Sequence, residues 1–201
     1  MSSGMKLIGS PTSPFVRKVR MVAFELKVPI TFEKINVREP DDDFLRLSPI
    51  GKIPVLITEQ GDSIPESDLI ARYLCSCVND ASLFPATFEL EFERFLAYIN
   101  AGLDAAAAII MEHWRSEAMI DQGVIKRHRE RVARVLNTLE ASGDRILQEK
   151  RYLQLALATF LGYIDFRKPL EDWQQGHPFL SDWYAAIANL PYVRETIPVQ
   201  A

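Results

Sequence analysis

Cysteine is scarce. The 201-residue chain holds two, Cys75 and Cys77, two positions apart on an expected helix and therefore pointing to different faces. They form no disulfide framework, and a reducing, cytoplasmic setting fits them best. Excess positive charge is also missing: 23 Lys and Arg stand against 27 Asp and Glu, a net charge of -4, which argues against nucleic acid as a partner. No apolar run approaches the length of a membrane span, so no membrane partner is expected. The start, Met1-Ser2-Ser3-Gly4-Met5, lacks the charged-then-apolar pattern of a secretion signal; residues 1–4 read as an extension, with Met5 as a native start. The three histidines, His113, His128 and His177, show no ligand spacing, and no metal is expected. There are no internal repeats and no low-complexity segments.

What is present is organised around Lys6-Leu7-Ile8-Gly9-Ser10-Pro11-Thr12-Ser13-Pro14-Phe15-Val16-Arg17-Lys18. Lys6 to Gly9 reads as a short strand and Ser10 to Thr12 as a tight turn. Ser13 is a favoured N-cap, because its hydroxyl can accept from an orphan N–H one turn inside the helix. Pro14 suits the first helical position, where its missing donor costs nothing. Phe15, Val19, Val22, Ala23 and Leu26 follow at helical spacing and form one apolar face. Arg17, Lys18, Arg20 and Glu25 are assigned to the other, solvated side. The arrangement puts a serine hydroxyl at the positive end of a helix, a place to hold an anion. Thioredoxin-like proteins keep a redox Cys-x-x-Cys at this helix start; here the frame is Ser13-Pro14-Phe15-Val16, and both thiol positions lack cysteine.

Pro29 to Val37 reads as a second strand, and Asp41 to Leu47 as a short helix with acidic residues in its first turn. Ile53-Pro54-Val55-Leu56-Ile57 is a strand whose proline requires an edge position or a cis peptide bond. After the turn Gln60-Gly61-Asp62-Ser63 and a short strand at Ile64, a helix runs from Leu69 to about Val78, with Ser67 as its expected N-cap. Asn79 to Thr87 is the linker. Beyond it strand signals nearly vanish. Phe88 to Ala118 is a long helix in which Ala105 to Ala108 allow close helix approach. Asp121 caps the next helix. Leu153 to Phe166 is apolar nearly all round, as for the central helix of a bundle, and a last helix runs from His177-Pro178 to Asn189. The economical reading is a small α/β domain over residues 5–79 and an all-helical one over residues 88–201.

Several segments then match a known pattern in order and spacing: Ser13-Pro14-Phe15-Val16-Arg17-Lys18, Ser48-Pro49-Ile50-Gly51-Lys52-Ile53-Pro54-Val55-Leu56, Glu66-Ser67-Asp68-Leu69-Ile70, Leu103-Asp104-Ala105-Ala106, Gly162-Tyr163-Ile164-Asp165-Phe166-Arg167 and His177-Pro178-Phe179-Leu180-Ser181-Asp182-Trp183-Tyr184. Across nearly its whole length the chain resembles a cytosolic glutathione S-transferase of the bacterial type. The resemblance implies a thioredoxin-like N-terminal domain, a helical-bundle C-terminal domain and a homodimer. It also implies glutathione as co-substrate, a detoxification role and a small hydrophobic electrophile as second substrate. Ser13 would hydrogen-bond the glutathione thiolate, and Ile53 would pair its backbone with the cysteinyl part beside a cis Pro54. Glu66 and Ser67 would hold the γ-glutamyl end, and Lys52 would meet the glycyl carboxylate. Met111, Trp114 and Met119 are candidates to line the electrophile pocket. Asp104 is left between the active-site cleft, the dimer interface, a helix cap and an ion pair.

Two positions depart from that pattern. Ser48 stands where the family has Asn, and both residues suit turns. The capping box before the buried helix appears as Arg151-Tyr152-Leu153-Gln154, which cannot form the usual reciprocal cap and costs ~1 kcal/mol of stability. Two other functions share the fold: a glutathione-dependent thiol-disulfide reductase, disfavoured because position 13 lacks cysteine, and a non-catalytic glutathione-binding or protein-interaction module.

Overall fold

The computed structural model describes residues 4–80 and 82–198, which form two compact units. The first comprises the chain up to Phe84 together with the segment from Pro191 onward. The sequence-based boundary placed that segment in the helical half, over residues 88–201. The fold groups it with the first unit, where Arg17 donates to the carbonyl of Val193 (3.3 Å) and to the hydroxyl of Thr196 (3.3 Å).

The first unit is built on β1 (Lys6–Gly9), α1 (Pro14–Glu25), β2 (Thr31–Lys34), α2 (Asp42–Leu47), β3 (Val55–Ile57), β4 (Ser63–Pro65) and α3 (Ser67–Cys77). The strands form one mixed sheet in the order β2-β1-β3-β4. β1 and β2 run parallel, which requires the crossover that α1 provides. β3 is antiparallel to both β1 and β4. Side chains alternate across the sheet: Ile8 and Val55 pack with Phe44 of α2 on one face, and Ile35, Leu47, Ile53 and Ile57 extend that cluster. Leu7 and Leu56, one residue out of phase, are fully buried on the other side. β2 is shorter than the expected Pro29–Val37 because it is an outer strand with all four residues exposed.

Helix α1 is buried on more than its apolar stripe. Arg17 and Lys18, assigned from sequence to a solvated face, are both buried. Arg17 reaches α10 (Pro191–Arg194), and Lys18 reaches α3, so both flanks of α1 are covered. At the end of β1, Gly9 lets α1 lie close: a Cβ there would clash with Val16 Cγ2.

The second unit, Pro85–Leu190, is all-helical. It contains α4 (Leu90–Glu112), a 3₁₀ turn (Glu117–Met119), α5 (Gln122–Ser142), α6 (Asp144–Gln148), α7 (Arg151–Arg167), α8 (Trp173–Gly176) and α9 (Pro178–Ile187). α4 packs along α5 and against α7, and every residue of α7 from Leu155 to Ile164 is buried. Gly102 makes the α4–α7 contact possible, since a Cβ there would sit 2.6 Å from the Phe160 ring. Ala105 and Ala106 are buried inside this unit. By length and a mean hydropathy of 1.4, α4 could cross a membrane, a property missed by scanning for unbroken apolar runs. Its apolar residues Phe92, Phe95, Ile99 and Leu103 are nevertheless buried in the bundle.

The start of α7 lacks a side-chain cap, as its sequence implies. Gln154 is used differently. Its amide donates to the Leu147 carbonyl at 2.9 Å and accepts from Arg151 at 2.9 Å, tying the helix start to α6. α9 also lacks a cap of its own, with Pro178 at its start. The Glu140 carboxylate of α5 takes that role across the bundle, accepting from Phe179 N (2.9 Å) and Leu180 N (3.0 Å).

Candidate functional site

Three separate stretches end at one edge of the sheet, and the register shows why. Ile8 pairs with Val55, and Val55 pairs with Pro65. Because β3 is antiparallel to both neighbours, the end of β1, the start of β3 and the end of β4 lie side by side. Ser13 follows the first, Ile53 and Pro54 precede the second, and Glu66 and Ser67 follow the third. The sequence-predicted site residues of the first unit are thus gathered from positions 13, 52–54 and 66–67.

Ser13 is the N-cap of α1, with an extended backbone (φ -76°, ψ 128°) and Pro14 next to it. Its Oγ accepts from Val16 N at 3.3 Å. That bond uses an oxygen lone pair and leaves the hydroxyl proton to be donated outward. The hydroxyls of the preceding turn are engaged with each other: Ser10 Oγ and Thr12 Oγ1 lie 3.0 Å apart, and Thr12 N donates to Ser10 Oγ at 3.4 Å. α1 has no acidic residue in its first turn, so the positive potential of its N-terminus is not cancelled locally.

The Ile53–Pro54 peptide is cis, which resolves the proline conflict in the sequence without an edge strand, since β3 lies between β1 and β4. Pro54 is buried and Ile53 half-buried just outside the ladder, while Lys52 is exposed. The approach to this peptide is fixed by Ser48, which is buried. Its hydroxyl donates to the Lys52 carbonyl, and Gly51, at φ 61°, takes the left-handed backbone that glycine tolerates.

At α3 the structure corrects the sequence. Ser67 is not the N-cap; Glu66 is, in a left-handed conformation (φ 71°) rarely adopted by a residue with a side chain. The Glu66 carboxylate accepts from Asp68 N (3.0 and 3.1 Å) and Leu69 N (3.0 Å). Ser67 is the first helical residue, buried, and its hydroxyl donates to Glu66 Oε1 at 3.2 Å. The two Glu66 carboxylate oxygens serve the amides two and three residues on, the positions an N-cap side chain ordinarily serves.

Behind this edge, the fully buried Lys18 ammonium lies 2.5 Å from Asp68 Oδ1 and 5.9 Å from the centre of the Phe15 ring. The pair joins α1 to the first turn of α3. Nothing local in the sequence marks it, because the partners are 50 residues apart.

In the second unit Met111, Trp114 and Met119 are exposed, as is Asp104. His177 is a structural residue: Nδ1 lies 2.6 Å from the Trp173 carbonyl and Nε2 2.9 Å from Asn137 Oδ1. His128 has its imidazolium disfavoured by burial and by Arg131 and Arg127. Cys75 and Cys77 are both free. Burial, reinforced by Asp80, pushes the Cys75 thiol up to about 11, so it carries little thiolate near neutrality.

Residues 7–81 match the family described as glutathione S-transferase, N-terminal domain. The chain is 32% identical over 183 residues to the uncharacterised GST-like protein YibF of Escherichia coli K12, covering 88% of this chain and 90% of that protein. A glutathione S-transferase of Methylobacillus flagellatus KT, solved with glutathione bound, superposes with a TM-score of 0.89 at 32% identity, covering 98% of this chain and all of that one. A glutathione transferase family member of Pseudomonas fluorescens Pf-5, also solved with glutathione, gives a TM-score of 0.92 at 26% identity over 98% of this chain and all of that one.

Proposed function

The chain belongs to the glutathione S-transferase family, and on that premise we propose that it is an enzyme that binds glutathione at the sheet edge of the first unit and presents the sulfur to Ser13 for attack on a small hydrophobic electrophile. The observation that carries the reading is the convergence of Ser13, the cis Ile53–Pro54 peptide and the Glu66–Ser67 helix start at one edge. These are the features an extended peptide with a thiol in its middle and charges at both ends would need.

The chemistry follows from the Ser13 proton. A free cysteine thiol has a pKa of about 8.5, so only a few per cent is thiolate near neutrality. The hydroxyl donates to the thiolate, and the N-terminus of α1 adds positive potential. Lowering the thiol pKa by ~2 units takes about 2.7 kcal/mol and raises the thiolate fraction roughly 25-fold. Lower basicity weakens the nucleophile with a slope of about 0.4–0.5 in thiol exchange. If that slope holds here, net activation is only a few-fold, and placing the electrophile beside the sulfur supplies the rest. Carbon–sulfur bond formation consumes the thiolate, whose proton has already left to solvent; in a substitution the bond to the leaving group breaks and the group departs with the electron pair, and in an addition the displaced π pair takes a proton from solvent.

Within the same reading, Ile53 supplies backbone groups to the cysteinyl part. Glu66 and Ser67 receive the γ-glutamyl end, the Glu66 carboxylate taking its ammonium and the Ser67 hydroxyl its carboxylate. Lys52, exposed on its loop, meets the glycyl carboxylate. A homodimer and a cytoplasmic setting complete the proposal, the free Cys75 and Cys77 suiting a reducing compartment. The reductase alternative has no nucleophile at the helix start.

A thermal-shift titration with glutathione, followed by conjugation of a model electrophile, tests the proposal. Saturation at about 100 times Kd stabilises the native state by ~2.7 kcal/mol. No shift at millimolar glutathione overturns the reading. A shift without conjugation turns it into the binding-module alternative.

A further inference from the structure

A serine hydroxyl has one hydrogen to donate, and that of Ser67 goes to Glu66 Oε1 at 3.2 Å. The same carboxylate accepts from Asp68 N (3.0 and 3.1 Å) and from Leu69 N (3.0 Å). Three donors at the start of α3, the end of the helix that favours negative charge, are thus already engaged by one anion. That anion is the protein's own. Ser67 is buried, so its hydroxyl changes partner only by exchanging one acceptor for another. Glu66 is exposed and has room to swing outward. Among the described residues, no other hydrogen bond or ion pair holds its carboxylate.

The proposed function asks the same atoms for something else. The γ-glutamyl end of glutathione carries a carboxylate and an ammonium on one carbon. Ser67 is to receive the carboxylate and Glu66 the ammonium. With Glu66 still on these donors, the ligand's carboxylate has no Ser67 proton to take and meets a like charge. With Glu66 released and unpartnered, the helix has lost its cap. A ligand bearing both charges removes both penalties in one exchange. Its carboxylate takes over the Ser67 hydroxyl and the amides, and its ammonium receives the released Glu66. A ligand bearing the carboxylate alone supplies a cap but strands Glu66 beside it.

Resting on the glutathione-binding reading, we infer that Glu66 is the specificity-determining residue of the γ-glutamyl site, a carboxylate that fills the anion position in the free protein and exchanges only with an α-amino acid end. The substrate class is therefore thiols that carry a free carboxylate and ammonium on one carbon. Acidic thiols without the amine are rejected by the charge of Glu66 itself.

Affinities for glutathione and for its des-amino analogue, glutaryl-cysteinylglycine, are measured by calorimetry in the wild type, Glu66→Gln and Glu66→Ala. The wild type prefers glutathione by about 100-fold or more. Both substitutions weaken glutathione about 10-fold, because its ammonium loses a charged partner. Both strengthen the analogue about 10-fold, because no protein carboxylate competes for the donors. A residue that only caps the helix loses both ligands together, and one that only meets the ammonium leaves the analogue where it was. Equal wild-type affinities, or an analogue affinity that falls or stays unchanged in the variants, overturn the assignment. The crystal structure of the wild type with glutathione decides the exchange itself, whether or not the variants fold. The ligand's carboxylate is expected on Ser67 Oγ, with Glu66 turned to the ligand's ammonium. A complex in which Ser67 still donates to Glu66 overturns the inference. A wild type that does not bind glutathione overturns the proposed function as well, whereas a binding wild type with any contrary result overturns only this inference.

Discussion

Ser48 holds Lys52 from both sides of its backbone: the serine hydroxyl donates to the Lys52 carbonyl at 2.8 Å and accepts from the Lys52 amide at 3.3 Å. One short side chain thereby closes the loop that delivers Lys52 and Ile53 to the sheet edge. Ser48→Ala removes both bonds. Lys52 is exposed, so water replaces part of what is lost and the stability cost is only about 1 kcal/mol. The larger effect falls on the ligand, because Lys52 and Ile53 are no longer held in place. Calorimetric titration should show weaker glutathione binding in Ser48→Ala with a thermal midpoint close to that of the wild type. Unchanged affinity would remove Ser48 from the site's support.

The local geometry of the candidate site is legible in the sequence where a local rule governs it. Ser13 followed by Pro14 states its own capping role, and Pro54 before an apolar strand forces either an edge or a cis bond. At α3 the sequence points to Ser67 as the cap and the structure uses Glu66, because serine is the commoner N-cap and the positive φ of Glu66 leaves no trace in composition. Arg17 and Lys18 were misplaced for a different reason. Basic residues at helical spacing look like a solvated face, and their partners, Val193 and Asp68, are distant in sequence. α6 and α8 are too short to show a period, and their existence depends on packing. The segment from Pro191 onward carries no signal that it folds back onto α1.

Glu140 makes the second prediction. Its carboxylate serves two N–H groups of α9 from another helix, and hydrogen bonds to a charged group contribute more than neutral ones. Glu140→Ala should lower stability by about 2 kcal/mol, roughly 4–8 °C in a protein of this length. Glu140→Gln, whose amide oxygen still accepts, should lose less. Thermal scans of the three proteins decide it, and equal midpoints would mean that solvent caps α9 equally well.

The pH dependence of folding offers a third check at Asp165. Burial raises its carboxyl above the ordinary aspartate value, opposed by the hydrogen bond from Trp173 Nε1 (2.8 Å) and by Lys168. A raised acid pKa in the folded state means that its contribution to stability is fully present below the unfolded pKa of about 4. That contribution is lost as pH rises through the folded value. Asp165→Asn keeps an acceptor for Trp173 and Gln174 without the buried charge. Urea midpoints should therefore favour the Asn variant progressively as pH rises from about 3.5 to 7. A difference between the two proteins that stays flat with pH would contradict the raised value.

The account stands or falls on Ser13. Its hydroxyl accepts from Val16 N and has its proton left to donate. The most direct measurement is the pH profile of conjugation, with glutathione saturating and a model electrophile, in the wild type and Ser13→Ala, alongside the ultraviolet titration of the bound thiolate. Loss of the cap alone costs about 1 kcal/mol of stability and would leave the titration of the bound thiol where it was. If Ser13 holds the sulfur, Ser13→Ala raises the pKa of bound glutathione by about 1–2 units, toward that of the free thiol. Turnover near neutrality then slows, while glutathione affinity changes little because Lys52, Glu66 and Ser67 hold the ends. Full conjugation in Ser13→Ala with an unshifted profile would contradict the account and leave Ser13 as a helix cap alone.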